Sequence, residues 1–403
     1  MPRLSRPPRD VLAAAGGACV FSFSLGMASV AMPLLALRSG YSGIDVGLLT
    51  AASALAQMAT RLVLGRAMRL VGDWVLVVVA AALLTGSNGL LATTAAVVPF
   101  TVAAILQGVA RACFWTGSQT HVVRGEGTAV SALAQVNFIS SIGLLAGPAV
   151  AGLLAEASVQ VALSVAAVAS LVAVAPALLL DRLPPFQPPA ERPPGMLWRR
   201  PGVSTGCWVG ASAGAWRGLV SSYVPVALET ARQPGTTTGA LVSVANAASM
   251  VGAIVVARVH GPWVRRSLVL GCLLAGLAFC VFVPLAGVAW AAGLALAASG
   301  LGAGALQSVG PAVATEAVHR EERGEAIAAA GTFRATALFG APLVVASALT
   351  VMPLAAAMAI VGVLIAAPSV ASSRRSLGHV TDGDAAVRDP APTAVHGQGG
   401  EPS

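Results

Sequence analysis

The sequence predicts an all-α membrane protein: twelve transmembrane helices in two six-helix pseudo-repeat bundles. Three observations carry this expectation. Of 403 residues, 56% are hydrophobic and 10% charged, with a mean hydropathy of +0.81, whereas a soluble chain carries about 25% charged residues. The apolar residues fall into runs of about 20, the length that crosses a bilayer as a helix, and in lipid a helix satisfies its own backbone. The basic residues, all 24 of them Arg, concentrate in every second connecting segment.

The spans follow in order. Span one, 11–36, comes after Arg3, Arg6 and Arg9. It is longer than a signal-peptide core and eleven spans follow it, so it is expected to be retained. Span two, 45–65, begins at Asp45. Span three, 75–96, follows "GDWV" at 72–75. Span four, 98–120, carries Arg111. Span five, 128–154, follows "RGE" at 124–126. Span six, 160–180, ends at "DRLPPFQPPAERPPGMLWRRPG", 181–202, whose Pro and Arg predict an extended cytoplasmic linker. Span seven, 203–228, carries Arg217. Span eight, 238–257, precedes "GPWV" at 261–264. Spans nine, 267–286, and ten, 290–316, are separated by a short turn. Span eleven, 326–350, follows a second "RGE" at 323–325, and span twelve is 353–372. The "G-x-W-V" and "RGE" echoes fall at equivalent loops of two halves, the signature of parallel repeats. The units are therefore a bundle at 1–180, the linker at 181–202, a bundle at 203–372, and a polar tail at 373–403 that is expected to be disordered.

With the N-terminus inside, 18 Arg fall in inner segments and two, Arg38 and Arg232, in outer loops. This predicts a multi-pass protein of the cell membrane with both termini cytoplasmic. The net charge of +8 then marks the inner face rather than a nucleic-acid partner. The five Cys lie within spans without metal-ligand spacing, so they read as small hydrophobes. No metal and no cofactor is expected.

"GLLAGPAVAG", 143–152, lies in span five. Gly143, Gly147 and Ala151 recur every fourth residue and line one face, which lets another helix approach closely. Pro148 frees a carbonyl and permits a bend. The pattern G-x-x-x-G-P-x-x-A-G, ending at Gly152, resembles the antiporter motif of the major facilitator superfamily, G-x-x-x-G-P-x-x-G-G. The loop after span two resembles the superfamily's G-x-x-x-D-R-x-G-R-R. Gly65 and Gly72 match; Arg69 stands where the family has its acid, and Asp73 where it has an Arg. Arg69 and Asp73 lie four apart and would pair if the turn is helical. The resemblance covers 11–372. It implies secondary transport by alternating access, with helices 1, 4, 7 and 10 around a central cavity and helices 3, 6, 9 and 12 facing lipid. The antiporter motif is commoner in exporters.

Arg111, Arg217 and Arg334 lie deep in spans four, seven and eleven, each at about 2.5–3.5 kcal/mol near the bilayer centre. Arg61, near the end of span two, can snorkel. No Asp or Glu lies in the interior of a span. Two readings stay open. The arginines pin helices through carbonyls and the amides of Asn137, Asn246 and Gln307, or an anionic substrate supplies the missing charge, bound by the guanidinium fork. Trp115 and Trp216 adjoin this set. Asn88, on a lipid-facing helix, is the exception among the buried amides. Glu316, at the inner end of span ten, is the candidate for proton coupling. His121 stands alone at the inner end of span four and reads as an interface residue.

No phosphate loop, H-E-x-x-H or nucleophile elbow is present, so no enzyme is expected. The expected function is export of a small polar or anionic metabolite or drug, by antiport, from a monomer in the lipid bilayer. The partners are a small-molecule substrate and protons as candidate coupling ion. The alternatives are uptake or exchange of a small organic anion, and a non-transporting receptor or scaffold.

Overall fold

The computed structural model describes residues 9–68, 70–124, 129–185, 197–256, 258–259, 262–318 and 323–370. Arg69, linker residues 186–196 and the 373–403 tail lie outside them. Among the described residues the chain is helical and has no strand.

The first group is α1 (Arg9–Arg38), α2 (Gly43–Ala67), α3 (Asp73–Thr93), α4 (Val97–Arg124), α5 (Ala129–Ala157) and α6 (Val159–Val172). The second is α7 (Pro201–Thr230), α8 (Gly235–Val256), α9 (Pro262–Leu285), α10 (Ala289–Glu316), α11 (Arg323–Ala348) and α12 (Leu354–Ala366). Gly40, at φ +90°, supplies the left-handed residue that turns the chain after α1.

Among the described residues ten helical stretches are long and apolar enough to cross a membrane. The two remaining spans differ from the expected pattern. α7 has 30 residues, but its Arg, Gly and Ser keep its hydropathy below that of the others. α12 has 13 residues, and the apolar helical stretch continues to Val370, with the last two residues of the expected span, 371–372, outside the described residues. Span six is broken. α6 stops at Val172, and a five-residue turn of helix, Val174–Leu178, follows Ala173. Pro176 has no N–H to offer the Val172 carbonyl, which ends the ladder there.

Packing repeats between the groups. α1 packs on α5, α2 and α3 on α4, and α3 on α6; likewise α7 packs on α11, α8 and α9 on α10, and α9 on α12. One detail is shared to the atom. A Cβ added at Gly26 of α1 would lie 2.9 Å from Pro148 Cδ of α5; one added at Gly218 of α7 would lie 3.1 Å from Pro342 Cδ of α11. In both pairs a glycine receives the proline ring that bends its neighbour.

Outward-facing apolar stripes complete the fold. Val161, Val165, Val168 and Val172 on α6, and Leu270, Leu274, Leu277 and Val281 on α9, are all exposed. Their spacing of three and four places each set on one helix face. Asn88, the exception among the amides, is fully buried and turns inward: its Nδ2 donates to Ser24 Oγ at 3.0 Å, and Ser24 donates to the Ala166 carbonyl at 2.7 Å.

Candidate functional site

Two ends of the helices can be told apart: the near end, where α1 begins, and the far end, where it finishes. The groups join at the far end. Arg38 Nε pairs with Glu229 at 3.1 Å, and its Nη1 donates to the Ala155 carbonyl at 2.7 Å. Thr236 donates from its hydroxyl, at 2.5 Å, and its backbone N–H, at 3.1 Å, to Glu156. A Cβ at Gly47 of α2 would overlap the Tyr223 hydroxyl of α7.

The glycine-rich stretch of α5 serves both groups. Added Cβ atoms at Gly143 and Gly147 would overlap the Cys19 and Phe23 carbonyl oxygens of α1. One at Gly152 would overlap the Gly235 carbonyl of α8 and lie 2.9 Å from Gly239 Cα. Only residues without a side chain permit this backbone contact. In the other motif Gly65 lies in the last turns of α2, and Gly72 leads into α3 against the Trp74 ring and the Leu183 carbonyl.

Between the groups, each deep arginine is held by a neutral amide. Arg111 Nη2 donates to Gln107 Oε1 at 2.8 Å, one turn earlier on α4. Arg217 Nη1 donates to Asn246 Oδ1 at 2.8 Å. Arg334 Nη2 donates to Gln307 Oε1 at 3.2 Å. The amide nitrogens carry the network on. Asn246 Nδ2 donates to the Leu144 carbonyl of α5 at 3.3 Å, and Gln307 Nε2 to Ser249 Oγ at 3.1 Å. The described ion pairs are Arg38–Glu229, His121–Asp10 and His121–Asp73, so none involves these three arginines. Arg217 lies within electrostatic reach of Arg334 and Arg111, and Arg334 of Arg61. Among the described residues these arginines form one region of positive charge without an ion-pair partner.

Beside Arg111 is a small cavity enclosed by α1, α2, α4 and α7. Its volume is about 30 Å³, and it is lined by Ser29, Ser53, Gln107, Arg111 and Ser221, among others. That is room for a water or two. Ser53 Oγ, Gln107 Nε2 and Arg111 Nε are buried without a hydrogen-bond partner, and all three can donate.

Other expected site residues take different places. Trp216 is fully buried and donates from Nε1 to Ser299 Oγ at 2.7 Å, while its ring lies 5.2 Å from the Arg217 guanidinium carbon. It holds α7 to α10 and backs the arginine. Trp115 packs edge-on against Phe114 at 5.6 Å. Asn137 is exposed on α5 and takes no part in the described arginine–amide bonds, and Glu316 is exposed at the end of α10.

The expectation for His121 is corrected. It is fully buried, its Nε2 is 2.9 Å from Asp10 Oδ2, and its Nδ1 is 3.2 Å from Asp73 Oδ1. Asp10 lies 111 residues away in sequence, so only the fold brings the acid to the ring. Gln107 was a legible omission, since it precedes Arg111 by one helical turn.

The sequence model of the Major Facilitator Superfamily matches residues 14–342. No curated protein matches the sequence significantly. Among solved structures, the chain is similar to a mutant of the nucleoside transporter NupG, with TM-score 0.72 and 12% identity over 90% of this chain and 98% of that one. It is similar to a mutant peptide transporter POT in complex with sulfate, with TM-score 0.72 and 14% identity over 91% and 94%. A POT family transporter in complex with 5-aminolevulinic acid gives 0.71 and 12% over 90% and 95%. At these identities the likeness is one of fold.

Proposed function

Because the chain belongs to the Major Facilitator Superfamily, we propose that it is a secondary active transporter that exports a small anionic or polar metabolite or drug by antiport. The observation that carries the substrate class is the set Arg111, Arg217 and Arg334, each on a neutral amide and none on a carboxylate. Arg111 and Arg217 are partly buried and Arg334 is exposed. A charge withdrawn from water without a counter-ion is costly, and an anionic cargo would supply the missing charge in a bidentate fork. The cargo binds between a bundle at 1–180 and a pseudo-equivalent bundle at 203–372. The matched Gly26–Pro148 and Gly218–Pro342 seats support that division.

The near end faces the cytoplasm, as the Arg distribution implies. The far-end links Arg38–Glu229 and Thr236–Glu156 then close the outer side. Rocking would break the far-end links and bring the near ends together.

The test is flux in proteoliposomes holding the full chain, over a panel of anionic, neutral and cationic solutes, with an imposed proton gradient. Anions moving preferentially, outward with respect to the cytoplasmic face and against protons, is the expected result. If the transported solutes are lipophilic cations and Arg217→Gln leaves them unchanged, the arginines are pins between helices and the anion reading fails.

A further inference from the structure

The cluster of His121 with two carboxylates plays no part in the cargo site, and its geometry specifies a ligand. The His121 and Asp73 side chains are fully buried, while that of Asp10 is 18% exposed. Asp10 accepts at His121 Nε2 with both oxygens, at 2.9 and 3.0 Å, and its Oδ1 also accepts the Asp181 N–H at 2.9 Å. Asp73 Oδ1 faces His121 Nδ1 and accepts the Trp74 N–H at 2.9 Å. The cluster thereby joins the start of α1, the start of α3, the last turn of α4 and the segment that follows span six.

A neutral imidazole has one donor and one acceptor nitrogen, whereas an imidazolium has two donors. Nε2 meets Asp10 at hydrogen-bond distance, while Nδ1, buried and without a hydrogen-bond partner, lies 3.2 Å from Asp73 Oδ1 as an ion-pair contact. Only the protonated ring presents an N–H toward each carboxylate; the neutral ring turns a lone pair toward one of them. Protonation also lowers the charge of the buried cluster from −2 to −1. The carboxylates address opposite nitrogens, so they cannot converge on one metal ion, and no group of three such ligands among the described residues can hold one. The charged groups facing the ring are Asp10 from α1 and Asp73 from α3. Asp181 and Arg182 follow span six, with the Arg182 guanidinium carbon 5.3 Å from the Trp74 ring centre. Among the described side chains, α2 and α5 present no charge bonded to it.

We propose that Asp10, His121 and Asp73 form a proton-binding site, reached through the partly exposed Asp10 from the near side, whose occupancy holds the start of α3, Gly72–Trp74, against α4. Within a transporter this is the place for a coupling proton, in preference to the exposed Glu316. The proposal stands whether or not the cargo is an anion.

The test uses the full chain in nanodiscs with ¹⁵N-labelled histidine, titrated over the range in which His changes charge, about pH 5 to pH 8, and extended to about pH 10. The ring signals of His121 are those lost in His121→Gln, and Trp74 emission is the difference from Trp74→Phe. The expected result is a ring that is protonated at the acid end and loses its proton within this range, with a step in Trp74 emission over the same interval. His121→Gln abolishes the step, and Asp10→Asn displaces the interval. Because His121→Gln removes a buried ring and can impair folding, Asp10→Asn, at a half-open position, carries the test independently. A ring neutral at the acid end, a ring that stays charged throughout, or a ring that titrates while Trp74 emission is unchanged would each overturn the proposal.

Discussion

Arg217 and Asn246 meet side chain to side chain, guanidinium to amide oxygen, at 2.8 Å. They come from adjacent helices of one group, yet the same amide donates across the midline to Leu144, inside the glycine-rich stretch of α5. A cargo that takes the guanidinium competes for a bond belonging to a side chain that also holds the two groups together. If the cargo is the proposed anion, binding and rearrangement would share one residue.

Replacing Arg217 by Gln should weaken anion binding by about tenfold to a hundredfold, since a hydrogen bond to a charged group contributes about 1.5–3 kcal/mol. Insertion should be unharmed, because removing a buried charge eases it. Arg217→Lys should restore binding only in part, as an ammonium lacks the planar fork. Equilibrium binding of the best anion from the flux panel decides this.

Asn246→Asp provides the complementary test. It keeps the shape of the amide but sets a carboxylate against Arg217, satisfying the guanidinium internally. Anion binding should fall as in Arg217→Gln, while the melting temperature holds or rises. Unchanged anion affinity would show that Arg217 does not receive the cargo.

Glu156 and Thr236 touch across the far end. A Glu156→Cys, Thr236→Cys pair in a Cys-free background should cross-link on oxidation, stop flux, and recover with reductant. Full flux in the cross-linked protein would mean that α5 and α8 need not part during transport.

Gly147→Leu should abolish transport and also lower the melting temperature, because the new side chain would be driven into the α1 backbone at Phe23. Overpacking of this kind costs about 1–3 kcal/mol. Gly152→Val strains the α5–α8 crossing instead, so it should impair flux more than thermal stability. Thermal unfolding measured beside flux separates the two.

A membrane-impermeant thiol reagent applied from outside should label Arg232→Cys and spare Arg199→Cys. The reverse pattern would invert the topology.

The span order and the close-packing face of α5 were legible because both are local. Hydropathy runs give the spans, and glycines four apart give a contact face whatever the partner. The partners themselves were not legible. Gly143 and Gly147 meet α1, while Gly152 meets α8, and no spacing within α5 distinguishes them. The arginines within spans could be named from their helices, and Gln107 could have been paired with Arg111 by its one-turn spacing. Arg217–Asn246 and Arg334–Gln307 required the tertiary arrangement. His121 read as solitary because its acids lie at helix starts, where a sequence shows only loops. Span six was legible as a stretch, Val159–Leu178, but its interruption at Ala173, ahead of Pro176, was not.

The neutral amides beside the three arginines have an electrical consequence. An empty carrier of this kind is a charged body in the transmembrane field. Moving one elementary charge through the whole field is worth about 2.3 kcal/mol per 100 mV, and rocking carries the guanidiniums through a fraction of it. A potential negative inside would draw the unloaded site toward the cytoplasm, and an anion in the site would release that bias. Voltage steps on oriented membranes should therefore evoke transient charge movement in the empty protein, reduced by saturating anion and by Arg217→Gln, so that membrane potential itself sets how often the vacant carrier presents its site to either side.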